Sequence, residues 1–144
     1  MSARKIIATK YTKITCAAHC LYLFLEDIGK LPWIASVLSE GHNVAKFIIC
    51  HHASLAYFRT HSTLELLKPG ETRFATNFIM LQRLFQCKDA LQETVVSREC
   101  KQWIANKTYK EKGLAVTDTV LRQTFWDNVK QVVTSVHLSL PFYV

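Results

Sequence analysis

The stretch TCAAHCLYLFLEDIGK, residues 15–30, marks the point where the sequence changes from a strand-like to a helical periodicity. Four apolar residues after Ala17 recur at the helical spacing i, i+3, i+4 and i+7: Leu21, Phe24, Leu25 and Ile28. The preceding segment, Tyr11 to Thr15, alternates β-prone residues and predicts one short strand. The sequence therefore predicts an N-terminal strand that leads into a helix.

Glycine and proline suggest where the next helix begins and breaks. Gly29 suits the left-handed position that ends the first helix, and Pro32 suits the first turn of the second, which continues from Trp33. Gly41 predicts a break within this second apolar pattern. The predicted inward face comprises Ile34, Val37, Leu38, Val44, Phe47, Ile48, Leu55 and Phe58.

Two more helices are predicted after the loop at residues 68–71. Thr76 is a predicted N-cap for the third helix, and Thr117 or Asp118 for the last, which Pro141 ends. Residues 98–113 are short of apolar anchors and rich in lysine, which predicts a partly exposed segment or a loose helix. The predicted inward residues are Phe78, Leu81, Phe85, Leu91 and Val95, then Leu121, Phe125, Val129, Val132, Val136 and Leu140. The fold class is thus mainly α, with one strand and about four helices.

Composition narrows the class of protein. The 144 residues fit one domain, and 49% hydrophobic with 20% charged residues is a globular balance. Eighteen basic against eleven acidic residues give a net charge of +7, which favours a polyanionic partner, although many basic proteins bind none. No apolar run approaches the roughly 20 residues of a membrane helix, so no membrane partner is expected.

The cysteines and histidines allow several interpretations. Cys16, His19 and Cys20 could supply half of a zinc site and Cys50-His51-His52 the rest, but adjacent helical residues diverge and rarely share one ion. A Cys–His catalytic pair at His19 is an alternative, and a structural histidine beside small buried thiols is another. Five irregularly spaced cysteines favour reduced thiols in the cytosol or nucleus. No phosphate-binding loop or nucleophile elbow occurs.

Three blocks of the sequence resemble a known family. They are CAAHCLYLFLEDIGKLPW (residues 16–33), KPGETRFATNFIMLQRLFQCKDALQE (68–93) and FWDNVKQVV (125–133). Together they resemble, in order over residues 11–137, the plant hAT-superfamily (hobo/Activator-like) transposases. The resemblance divides the chain into a basic tail (1–10), a partial transposase-like domain (11–140) and a second tail (141–144).

The resemblance implies a ribonuclease-H-like core for cut-and-paste DNA transposition, with a helical domain inserted into it. Tyr11 to Cys16 would be the last core strand, and Cys16 with His19 the family's C-x-x-H motif near the active site. Most of the remaining chain would be the start of the helical insertion. A lone strand requires partner strands for its backbone polar groups, which agrees with a partial core.

The resemblance also locates candidate DNA contacts. Arg73 and Phe74 stand where many relatives carry an Arg followed by a Trp, a pair implicated in handling the DNA end. Arginine can pair with a phosphate, and the Phe ring can stack on a displaced base. The alternative is a helix entry with one buried aromatic residue.

The family's catalytic acids are not matched. The first two belong upstream of the CAAH block, where this sequence has no Asp or Glu before Glu26, and the third belongs beyond residue 144. The family's BED-type zinc finger and dimerisation region are also unmatched. Two-metal chemistry requires the acids, so we expect a truncated, inactive protein without catalytic residues or cofactors, nuclear by resemblance and otherwise cytoplasmic.

Three present-day roles remain open. Residual sequence-independent DNA binding would use the candidates Arg73, Phe74, Lys101, Lys107, Lys110 and Lys112. Alternatively, apolar surface left by the missing core would pair with a full-length relative or a second copy. The third reading is a functionless relic.

Overall fold

A computed structural model describes residues 17–68, 74–106 and 108–139, without the side chains at 17–19, 21, 22, 74 and 137–139. The described helices are α1 (Ala17–Gly29), α2 (Pro32–Cys50), α3 (His52–His61), α4 (Phe74–Gln86), α5 (Lys88–Val96), α6 (Arg98–Ala105), α7 (Lys110–Leu121) and α8 (Gln123–Ser139). The mainly α prediction is confirmed. The described residues form eight helices where about four were predicted, because several predicted helices are divided by short breaks. The predicted strand at Tyr11–Thr15 lies outside the described residues, as do Leu140 and Pro141.

Helix α2 lies at the centre of the fold and packs against α1, α3, α4, α7 and α8. The predicted inward positions of its first half, Ile34, Val37 and Leu38, are buried, and Pro32 occupies the first turn as predicted. Val44 and Ile48 continue the same buried face. The helical periodicity of the sequence therefore identified the core face of this helix correctly. Within the described ranges, no helix is both long and apolar enough to cross a membrane.

Gly41 does not break α2, contrary to the prediction. The helix runs through it, and a Cβ placed there would lie 2.6 Å from Leu81 Cδ2 and 3.3 Å from Leu84 Cδ1. The absence of a side chain thus permits the close approach of α4. Gly29 is likewise no left-handed terminus, because no described glycine has a positive φ.

The actual break after α2 falls at His51, whose backbone is extended at φ −116° and ψ 121°. The buried Ser54 hydroxyl lies 3.0 Å from the carbonyl oxygens of both Ile48 and His51 and can donate to them. His51 Nδ1 donates to the Phe47 carbonyl at 2.7 Å. Carbonyl groups near the end of α2 thereby receive side-chain donors, which helps the chain turn into α3.

The predicted helix caps at Thr76, Thr117 and Asp118 are wrong, because all three residues lie inside helices. The Thr117 hydroxyl donates to the Gly113 carbonyl at 2.8 Å, a bond that satisfies the side chain within α7. The predicted third helix is also divided, at Cys87, into α4 and α5. Leu121, predicted to face inward, is 48% exposed.

The lysine-rich segment 98–113 contains α6 and the start of α7, and most of its described residues are exposed, as predicted. Ser97 caps α6 by accepting a hydrogen bond from the Cys100 backbone N–H at 3.3 Å. Cys100 and Ile104 are buried, and a Cβ at Gly113 would lie 2.8 Å from Ile104 Cγ2. A small residue on α7 therefore lets α6 pack closely against it.

The carbonyl of Val120 joins three helices near the end of α7. Trp126 Nε1, on α8, donates to it at 2.6 Å, and Gln92 Nε2, on α5, donates at 3.3 Å. Trp126 is 1% exposed and packs edge-on against Phe125, with ring centroids 5.0 Å apart. This arrangement satisfies a carbonyl in the last turn of α7 and anchors α8 to it.

Candidate nucleic-acid interface

The structure separates the residues predicted to contact DNA. Lys101 lies on α6, and Lys110 and Lys112 lie on α7; all three are exposed, and the two helices pack together. Phe74 is the first residue of α4, but its side chain, like Arg73 and Lys107, lies outside the described residues. Of the residues predicted to contact DNA, the structure therefore describes the side chains of three lysines, which lie on α6 and α7.

An aromatic cluster that was not predicted from the sequence lies beside these lysines. His51, at the end of α2, has its ring centroid 4.4 Å from that of Tyr109 and 5.6 Å from that of Trp103. Phe47 completes the cluster, with centroids 4.8 Å from His51 and 5.8 Å from Trp103. Phe47 is buried, whereas Tyr109 is 42% exposed. His51 and Trp103 are half-buried, so Tyr109 is the most exposed ring of the cluster.

A groove between α2 and α7, which we call the α2–α7 groove, begins at this cluster. It forms a pocket of about 460 Å³ that is partly open to solvent. Its lining residues recur at helical spacing on the two facing helices: Glu40, Asn43, Val44, Lys46, Phe47, Cys50 and His51, then Lys112, Ala115, Val116 and Thr119. Buried Val44, Phe47 and Val116 form an apolar floor. From Glu40 to His51 the groove follows α2 for roughly 16 Å.

Charged groups are distributed unevenly around the groove. Exposed Lys46 and Lys112 line it from facing helices, and neither has an ion-pair partner among the described residues. Glu40 instead accepts a hydrogen bond at 2.8 Å from Arg122, which also donates to Asp118 at 2.7 Å. The hydrogen bond to Asp118 and the nearby charge of Glu40 raise the pKa of Arg122. The rim therefore carries a net positive charge, because the carboxylate of Glu40 is paired with Arg122.

The structure does not assemble the second half of the alternative zinc site. Cys50 and His52 are exposed, while His51 Nδ1 is committed to the Phe47 carbonyl. In the described parts of the chain, no group of three or more His, Cys, Asp or Glu residues is arranged to hold a metal ion. Cys16 and the side chain of His19, which carry the C-x-x-H motif, lie outside the described residues.

The cysteines are expected to differ in reactivity. Burial raises the pKa of the Cys87 and Cys100 thiols, so their thiolate forms are scarce, whereas Cys50 is exposed on the groove. At about pH 8, iodoacetamide should therefore modify Cys50 well before the other two. Peptide mass spectrometry over a labelling time course measures the rates, and urea-unfolded protein is the control. Equal rates in the folded protein would contradict the described burial.

Comparison of the chain with family models, with curated proteins and with solved structures gave no match. The lysines, the aromatic cluster and the α2–α7 groove are therefore the features from which a function is inferred. Of these features, the exposed lysines of α6 and α7 were predicted from sequence. Lys46 and the aromatic cluster were missed, although Trp103 and Tyr109 within a lysine-rich segment were a usable indication.

Proposed function

We propose that these residues form a catalytically inactive, internal segment of an hAT-like transposase that binds DNA without sequence preference. The observation that carries the proposal is the exposed lysines of α6 and α7 beside the partly exposed ring of Tyr109. The resemblance described above supplies DNA as the polyanion. It also assigns the family's metal-binding acids to positions outside these residues, so the proposed role involves binding only.

Electrostatics favours phosphate contacts on this face. Between residues 98 and 112 the sequence has five basic and two acidic residues, and Lys46 adds a further charge across the groove. Each lysine that neutralises a phosphate releases counterions, which gives sequence-independent and salt-sensitive affinity. Tyr109 adds a surface on which any base can stack, because stacking requires only a π-face.

Binding should weaken steeply with salt. If four lysines contact phosphates (Lys46, Lys101, Lys110 and Lys112), the affinity for a short fluorescein-labelled duplex should fall about 100-fold between about 50 and 200 mM salt. Fluorescence anisotropy at several salt concentrations measures this slope. The triple variant Lys101→Gln, Lys110→Gln, Lys112→Gln should lower the slope of log affinity against log salt by about 3.

A matched control is available on other exposed lysines. Lys68 and Lys130 are exposed on the 62–68 loop and on α8, so replacing both with glutamine removes charge elsewhere on the surface. The control should retain most of the salt dependence. The proposal fails if the wild-type chain binds no DNA at about 50 mM salt, if binding ignores salt, or if the triple variant and the control behave alike.

Self-association is a second candidate function, favoured by one feature of α7. Leu114 and Leu121 are spaced i, i+7 on this helix and are 53% and 48% exposed, so they form an apolar row facing solvent. A second copy could cover this row. Light scattering should then give a dimer mass that Leu121→Glu reduces to the monomer. A monomeric mass for the wild type at high concentration excludes this candidate.

A further inference from the structure

The α2–α7 groove has the dimensions and lining of a small-molecule site, a property that neither the resemblance nor DNA binding requires. Its cavity of about 460 Å³ falls within the roughly 300–1,000 Å³ of ligand pockets. Such pockets are mainly apolar, with a few polar groups that fix the orientation of the ligand. The groove follows this pattern, since its floor is apolar and its polar groups lie at the rim.

The residues that line the groove indicate where the apolar and the charged parts of a ligand would bind. Val44, Phe47 and Val116 are buried residues that would contact an apolar body. Lys46 on α2 and Lys112 on α7 are exposed residues of the lining, and neither has an ion-pair partner among the described residues. An ammonium group forms its strongest hydrogen bonds with an anionic oxygen, so the rim favours a carboxylate over a neutral polar group.

The ends of the groove limit the length and charge of the ligand. At one end the His51 and Tyr109 rings pack together, with centroids 4.4 Å apart. At the other end Glu40 is held by Arg122 at 2.8 Å, which offsets the negative charge that would otherwise repel an anion. A fused aromatic ring system is shorter than the roughly 16 Å between these ends, so the groove can hold it whole.

We propose that the α2–α7 groove binds small aromatic carboxylates, with the ring on the floor of Val44, Phe47 and Val116 and the carboxylate between Lys46 and Lys112. The site shares Lys46 and Lys112 with the proposed DNA-binding surface, but unlike DNA binding it also requires the apolar pocket between α2 and α7.

The test compares 1-naphthoate with its neutral analogue 1-naphthalenemethanol, using backbone amide shifts in NMR spectra of the full chain. We expect 1-naphthoate to bind with a dissociation constant of about 1 mM or tighter. Its shifts should be largest at Val44, Phe47 and Val116, and its affinity should exceed that of the alcohol by about tenfold. Replacing both lysines, Lys46→Gln together with Lys112→Gln, should remove this preference while leaving the alcohol unaffected.

Two tryptophan substitutions test the location. Ala115 lines the groove, so Ala115→Trp should fill the cavity and abolish binding of both compounds. Gln131 is exposed on α8 and does not line the groove, so Gln131→Trp should bind as the wild type does, and urea midpoints will verify that both variants fold. Equal affinity for acid and alcohol, shifts elsewhere, undiminished binding by Ala115→Trp, or no binding at several millimolar would each overturn the proposal.

Discussion

Replacing Trp126 with alanine is expected to lower the free energy of unfolding by about 3–5 kcal/mol. Trp126 is 1% exposed, so the truncation leaves a large cavity among α7 and α8. It also removes the 2.6 Å hydrogen bond from Nε1 to the Val120 carbonyl. Because single domains of this size are stabilised by about 5–15 kcal/mol, the loss would remove a large part of the total.

Urea unfolding followed by far-UV circular dichroism measures this effect without relying on tryptophan fluorescence. Trp33→Ala is the control, because Trp33 is 42% exposed and its removal should cost clearly less than that of the fully buried Trp126. Trp126→Phe retains much of the volume but loses the hydrogen bond, so its midpoint should fall between the two. Equal midpoints for Trp126→Ala and Trp33→Ala would contradict the described packing of α8.

Gly41→Val is expected to destabilise the fold by about 1–3 kcal/mol, although valine has a higher helix propensity than glycine. Even a Cβ at position 41 would lie 2.6 Å from Leu81 Cδ2, and the fully buried Leu81 has little room to move. Overpacking between α2 and α4 should therefore outweigh the gain in propensity. The same urea titration measures the change.

Ala35→Val on the exposed side of α2 is the control for placing a β-branched residue in this helix. It should change stability by less than about 0.5 kcal/mol. Combining Gly41→Val with Leu81→Ala should destabilise by less than the sum of the single changes, because the valine occupies space that the leucine leaves. An additive pair, or a Gly41→Val variant as stable as the wild type, would show that the two helices do not meet there.

The sequence predicted the faces of the helices better than their ends. Ile34, Val37 and Leu38 were correctly assigned to the core, because burial repeats with the helical period and needs no knowledge of the partner helix. The ends of the helices are predicted from single residues, and the same residue type can have two different structural roles. Gly41 can end a helix or admit a neighbour, and the hydroxyl of Thr117 can cap a helix or donate to a carbonyl four residues earlier.

The candidate site shows a different limit of sequence reasoning. Lys110 and Lys112 were recognisable as part of a basic segment from composition alone. The pairing of α2 with α7 joins residues more than sixty positions apart, for example Phe47 and Val116, and no local pattern specifies that contact. The groove and the aromatic cluster arise from this pairing, so they became apparent only in the folded chain.

The position of α8 has a consequence for synthesis of the protein. Its buried residues Phe125, Val129 and Val132 complete the core against α2, α4 and α7, yet α8 is the last described helix to be made. About 50 residues separate the end of α4 from Val136, which corresponds to roughly 3–10 s of translation. During that interval the apolar faces of α2 and α4 lack their final cover, so the nascent chain exposes the kind of surface that chaperones bind until α8 has emerged from the ribosome.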